Sequence, residues 1–74
     1  MGETVLDVKG LKCPLPVLKI RKAMKSLVAG DILEVHTTDP MSVIDVPAYC
    51  NESGNGLLSQ QSNDAGHVFK IKRT

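Results

Sequence analysis

Apolar and polar positions alternate loosely from Glu3 to Lys9, and the β-branched residues there predict a first strand that Gly10 ends. The period then changes. From Pro14 to Val28 apolar residues recur at helical spacing. At about 100° per residue, Val17, Ile20, Ala23, Met24, Leu27 and Val28 share one face. Lys19, Lys22 and Lys25 fall off that face, and so do Leu15 and Leu18. Ala29-Gly30-Asp31 stops the helix, with Gly30 suited to the left-handed position past its end. Ile32 to Thr38 reads as a second strand. Asp39 and Pro40 then start a helix, Asp as N-cap and Pro at the first helical position. That helix carries Val43, Ile44, Val46, Tyr49 and Cys50. Pro47 inside it is expected to kink it or to restart it after Asp45. Gly54-Asn55-Gly56 closes it. Leu57 to Ser62 and His67 to Lys72 read as two strands joined by the turn Asn63-Asp64-Ala65-Gly66.

The order is therefore β-α-β-α-β-β. A helix between the first two strands favours a parallel crossover, and the short last turn favours an antiparallel hairpin. The expected fold is α+β: a mixed four-stranded sheet with both helices on one face, a two-layer sandwich. With 74 residues, one domain over 1–74 is expected. That length excludes a Rossmann-type domain or a barrel. Aromatic residues make up 3% of the chain, so the core must be aliphatic and base-stacking platforms for single-stranded nucleic acid are scarce.

Net charge is only +1, but it is segregated. Lys9, Lys12, Lys19, Arg21, Lys22 and Lys25 stand in a stretch without acids. Asp31, Glu34, Asp39, Asp45, Glu52 and Asp64 stand in one without Lys or Arg. Such a bipolar surface can steer a charged partner. Met1 to Lys9 has no apolar leader segment, and no apolar run reaches the roughly 18–20 residues of a membrane span. A cytoplasmic chain with reduced thiols is expected.

The stretch Gly10-Leu11-Lys12-Cys13-Pro14-Leu15-Pro16 holds the candidate chemistry. Pro14 keeps Cys13 out of the helix, beside its N-terminus. Pro14 and Pro16 suit a first turn, where backbone donors lack helical partners. A thiolate there, with Lys12 adjacent and Lys9 near, is expected to be stabilised, so the thiol pKa should fall. The competing reading makes Cys13 a small apolar helix cap. Cys50 shares the inward stripe of Val43 and Val46 and is expected to be buried and inert; a resolving role is the alternative. Cys13, His36, Cys50 and His67 are scattered singly, so no metal site and no cofactor are expected.

Leu6 to Lys19, with its CPxP core, resembles the signature of the TusA/SirA-like sulfur carriers. Gly30-Asp31, Thr38-Asp39-Pro40 and Asp45 to Cys50 resemble that family's later landmarks, with Tyr49 where Phe is common. Gly66 to Lys72 is only loosely similar. The resemblance implies the same β-α-β-α-β-β sandwich. It implies that Cys13 accepts a sulfane sulfur as a persulfide and passes it to another protein's cysteine. Gly10, Lys12, Pro14 and Pro16 would support the turn. Implied partners are a cysteine desulfurase or rhodanese-type donor and a downstream acceptor, serving tRNA thiolation, molybdenum cofactor assembly, sulfur oxidation or thiosulfate uptake. A partner must cover the first helical turn, so Leu15, Leu18, Lys19, Lys22 and Lys25 are the expected docking residues. The other reading is a regulatory or RNA-binding module using the basic 9–25 face. Neutral net charge and few aromatics weigh against direct nucleic-acid binding, and no membrane contact is expected.

Overall fold

A computed structural model describes residues 2–74; Met1, the first residue of the expected domain, lies outside them. The elements are β1 (Glu3–Asp7), α1 (Leu15–Met24), β2 (Ile32–Thr37), α2 (Ser42–Ser53), β3 (Gly56–Asn63) and β4 (Gly66–Lys72). They form one four-stranded sheet of order β1-β2-β4-β3. β1 and β2 are parallel, Leu6 opposite Val35, and α1 makes the crossover. β4 runs antiparallel to β2 and to β3, so the final hairpin inserts its last strand beside β2. The expected mixed two-layer architecture is the one observed.

Period-two alternation decides which face is covered. Leu33, Val35 and Thr37 of β2 and Phe69 and Ile71 of β4 are buried on the inner face. Ile20 and Met24 of α1 and Val46, Tyr49 and Cys50 of α2 close over them. Complete burial of Phe69 contributes roughly 1.5–3 kcal/mol from removal of apolar surface alone. The other sheet face carries a charged cluster beside exposed Val5: Glu34 meets His36 at 2.7 Å and Lys70 at 3.8 Å, and Lys70 also reaches Glu3 at 3.4 Å.

Several boundaries differ from the sequence reading. β1 ends at Asp7, whose Oδ1 accepts the Lys9 N–H; buried Val8 adds one more bond, donating to the His36 carbonyl. α1 ends at Met24, not Val28. The amides of Ser26 and Leu27 reach carbonyls three residues back, and the Val28 N–H donates to Asp31 Oδ2 at 3.1 Å. Gly30, at φ +96°, therefore belongs to a later turn, where its N–H meets the Arg73 carbonyl. Val28 is consequently exposed rather than in the core.

α2 begins at Ser42 with Met41 as its cap residue, two positions after the expected Asp39 cap. The Asp39 side chain is occupied elsewhere, as described below. Pro47 does not interrupt α2. Val46 before it and Tyr49 and Cys50 after it pack on one core, which holds the helix across the missing N–H. Ile44 is exposed. Gly54 ends the helix at φ +80°, its N–H donating to the Cys50 carbonyl.

Candidate functional site

The loops after β1 and β2 meet at the carboxyl ends of this parallel pair, and Cys13 stands there. The first loop is built from short-range bonds: Leu11 N–H to the Val8 carbonyl at 3.2 Å and Leu15 N–H to the Lys12 carbonyl at 2.8 Å. Gly10 takes φ +83°, a conformation that favours glycine, and its N–H donates to Thr38 Oγ1 at 2.9 Å. The Cys13 N–H donates to Asp39 Oδ2 at 2.7 Å. Asp39 Oδ1 accepts from Met41 N–H at 3.2 Å. One carboxylate thus ties the cysteine turn to the start of α2, which is why it does not cap that helix in the expected manner. Asp39 is itself fixed from behind: Ser42 Oγ donates to its carbonyl at 2.6 Å and lies 2.6 Å from buried Thr37 Oγ1.

Cys13 is an exposed free thiol. Pro14 is the N-cap residue of α1, and no side chain caps the helix. The reading of Cys13 as a helix cap is therefore incorrect. Pro16 is buried within the first turn, while Leu15 and Leu18 are 44% and 52% exposed. Lys12, Lys19, Lys22 and Lys25 are all exposed. Leu15, Leu18, Lys19 and Lys22 thus stand on the surface of α1 after the cysteine turn, and Lys25 just past the end of that helix.

A groove of about 230 Å³ runs from Cys13 between the two helices. Cys13, Pro14, Val17 and Arg21 line one side; Asp45, Ala48, Tyr49 and Glu52 line the other. The Arg21 guanidinium lies 4.9 Å from the Tyr49 ring centroid and 3.7 Å from Glu52 Oε2. The basic and acidic segments of the sequence thus meet across this groove.

The electrostatics at the thiol oppose the expectation from sequence. The Cys13 pKa is raised, not lowered. Hydrogen bonding to Asp45 is the largest cause, followed by loss of hydration and by the negative charges of Asp45 and Asp39. Lys12 is adjacent in sequence, yet the carboxylates from the second loop and helix outweigh it. Asp39, Asp45, Arg21, Tyr49 and Glu52 were not singled out as site residues by sequence reasoning. Asp39 carries a partial signal, since an acid directly after a strand can reach a neighbouring loop. Asp45, Arg21 and Glu52 carry no local signal at all.

Cys50 is 4% exposed, and burial pushes its thiol pKa up. His36 is engaged by Glu34, and His67 Nδ1 lies 2.8 Å from Ser62 Oγ, both outside the groove. Among the described residues no three or more His, Cys, Asp or Glu side chains gather as a metal-binding group.

The family model described as Sulfurtransferase TusA matches residues 4–73. The chain belongs to the TusA family. It is 44% identical over 70 residues to the putative sulfur carrier protein YrkI of Bacillus subtilis, covering 95% of this chain and 91% of that one. To the sulfur carrier protein TusA of Pseudomonas putida it is 38% identical over 71 residues, covering 96% and 89%. A SirA-like protein of Desulfitobacterium hafniense has the same fold, with a TM-score of 0.77, 23% identity and 93% of each chain covered. Membership in the TusA family makes sulfur transfer the general role of this chain. Among the described residues no helix is long and apolar enough to cross a membrane.

Proposed function

We propose that this chain is one TusA-like domain that accepts a sulfane sulfur on Cys13 and relays it to a cysteine of a downstream protein. The observation that carries the reading is an exposed free thiol in a turn fixed by Asp39 and Thr38, within a chain of the TusA family. In the first step Cys13 sulfur attacks the outer sulfur of a donor persulfide. The Sγ–S bond forms, the donor's S–S bond breaks, and the Cys13 proton ends on the donor thiol. In the second step an acceptor thiolate attacks the outer sulfur held on Cys13: the acceptor S–S bond forms, the Cys13 Sγ–S bond breaks, and Cys13 leaves as a thiolate that takes a proton from water. Both steps are thiol–disulfide exchange in form and need no external oxidant or reductant.

A cysteine desulfurase or rhodanese-type enzyme is the donor in this reading. Acceptors in tRNA thiolation or related sulfur trafficking of the cytoplasm are the destinations. Gly10, Lys12, Pro14 and Pro16 support the reactive turn. Leu15 and Leu18 form the apolar contact, and Lys19, Lys22 and Lys25 steer an acidic partner.

The test is sulfur loading by a cysteine desulfurase supplied with cysteine, followed by intact mass without reductant. The parent and Cys50→Ser should each gain sulfur that a reductant removes. Cys13→Ser should gain none. Loading of Cys13→Ser at the parental rate defeats the assignment.

A further inference from the structure

The exposed large apolar side chains among the described residues are unevenly placed. Val28 and Leu58 lie toward the amino end of β2, and Val5 lies on the outer sheet face. The other four, Leu15, Leu18, Met41 and Ile44, stand on the two helices that flank the cysteine turn. Leu15 and Leu18 belong to the α1 face already described. Met41 and Ile44, at the start of α2, have no part in it.

Met41 is 47% exposed and Ile44 60%, and neither packs on the core or its fringe. Asp39 sets their position. Its Oδ2 accepts the Cys13 N–H at 2.7 Å and its Oδ1 the Met41 N–H at 3.2 Å, so one carboxylate joins the two residues. The Ile44 N–H donates to the Met41 carbonyl at 3.0 Å, which puts Ile44 one turn further on. At about 100° per residue, Met41, Ile44, Asp45 and Ala48 fall within a sector of about 100°. Asp45 and Ala48 line the groove that holds Cys13. Met41 and Ile44 therefore continue the α2 wall of that groove as an apolar lip.

Single exposed aliphatic residues are ordinary on a protein surface. These two differ in lying beside a thiol whose chemistry requires contact. A protein that delivers sulfur to Cys13 must bring its own sulfur to bonding distance of Sγ, so its surface covers the turn. Even a small protein–protein contact covers about 600 Å² per partner, a disc of about 14 Å radius. Met41, one carboxylate away from Cys13, falls inside that footprint, and so does Ile44 on the next turn. Covering them removes apolar surface from water and favours binding.

We infer that Met41 and Ile44 form a second docking contact, on α2, for the protein that delivers sulfur to Cys13. This rests on Cys13 being the sulfur-accepting residue. The donor's footprint then straddles both helices instead of resting on α1 alone. The matching surface is one whose sulfur-bearing cysteine is bordered by aliphatic or aromatic side chains.

The test is the double variant Met41→Gln/Ile44→Gln, which keeps net charge and approximate size and removes the apolar character. Val28→Gln/Leu58→Gln is the control, and circular dichroism checks the fold of each. A cysteine desulfurase supplied with cysteine loads each carrier over a range of carrier concentrations. KM for the Met41/Ile44 variant should rise about tenfold with kcat nearly unchanged, the mark of lost binding surface. The control should match the parent. Loading by sodium polysulfide, which needs no docking, should be the same for all three. A parental KM in the folded Met41/Ile44 variant overturns the inference, and so does an equal rise in the control. Sedimentation of the parent alone should show a monomer; a dimer that the Met41/Ile44 variant abolishes would assign the lip to a second copy and overturn it as well.

The relay reading fails differently. Sulfur on Cys13→Ser at the parental rate defeats that reading, whereas a parental KM in a carrier that loads on Cys13 defeats only the docking contact. A parent that the desulfurase does not load overturns both.

Discussion

Cys13 and Cys50 are the same side chain in two environments that differ in nearly every physical respect. Cys50 sits on the inner stripe of α2, packed among Tyr49, Val46 and the sheet, and loss of hydration alone accounts for its raised thiol pKa. Cys13 sits in solvent on a turn between β1 and α1, and its raised pKa comes first from Asp45. The direction of the shift is shared; the consequence is not. Burial silences a thiol by denying reagents access, which only local or global opening can lift. A carboxylate beside an exposed thiol raises its pKa by hydrogen bonding and by its charge, while leaving the sulfur open to reagents. Exposure and thiol acidity are thus separate properties, and the surface cysteine is accessible without being intrinsically activated.

The largest effect that tests this contrast is the ratio of alkylation rates in the folded parent. Cys13 should react on the order of a hundredfold faster than Cys50, because Cys50 must wait for opening of the core. Peptide mass mapping after timed quenching measures it. Comparable rates would erase the distinction between the two sites.

Serine substitution sharpens the comparison through stability. Cys50→Ser places a hydroxyl in an apolar core and should cost about 1–3 kcal/mol in urea unfolding. Cys13→Ser, on an exposed turn held through its backbone N–H, should change stability by less than about 0.5 kcal/mol. Equal costs would show that the cysteine turn packs more tightly than its exposure implies.

A smaller and more specific effect concerns the helix beside the turn. Lys19, Lys22 and Lys25 changed together to Glu should leave the fold and Cys13 alkylation nearly unaltered. Sulfur transfer from a desulfurase should slow by about tenfold at low salt, with the gap closing as salt rises. A transfer rate unaffected by both the substitutions and salt would remove the lysine face from partner docking.

Much of this contrast was legible along the chain. The run Ile32 to Thr38 reads as a strand, and the structure forms one over Ile32–Thr37. The helical spacing of Val46 and Cys50 placed that thiol in the core. The prolines on either side of Leu15 kept Cys13 out of the helix. These are local effects: a residue's face is set by the period of its own element, and a proline acts on its immediate neighbours. The charge state of Cys13 was read wrongly for the same reason. Lys12 and Lys9 are near in sequence, whereas Asp39 and Asp45 approach only when α2 settles beside α1. The end of α1 was misplaced likewise, because the Asp31 side chain and the Arg73 backbone hold the 28–31 turn from outside the helix.

Element order, the buried stripes and the position of the exposed thiol were therefore decided by the sequence itself, through steric and hydrophobic rules that act over a few residues. The groove, the Arg21–Glu52 pair and the acid facing Cys13 were decided by tertiary structure. Electrostatic interaction falls with distance through space and takes no account of separation along the chain. A carboxylate thirty-two positions away in sequence thus acts more strongly on the thiol than the lysine joined to it by a peptide bond.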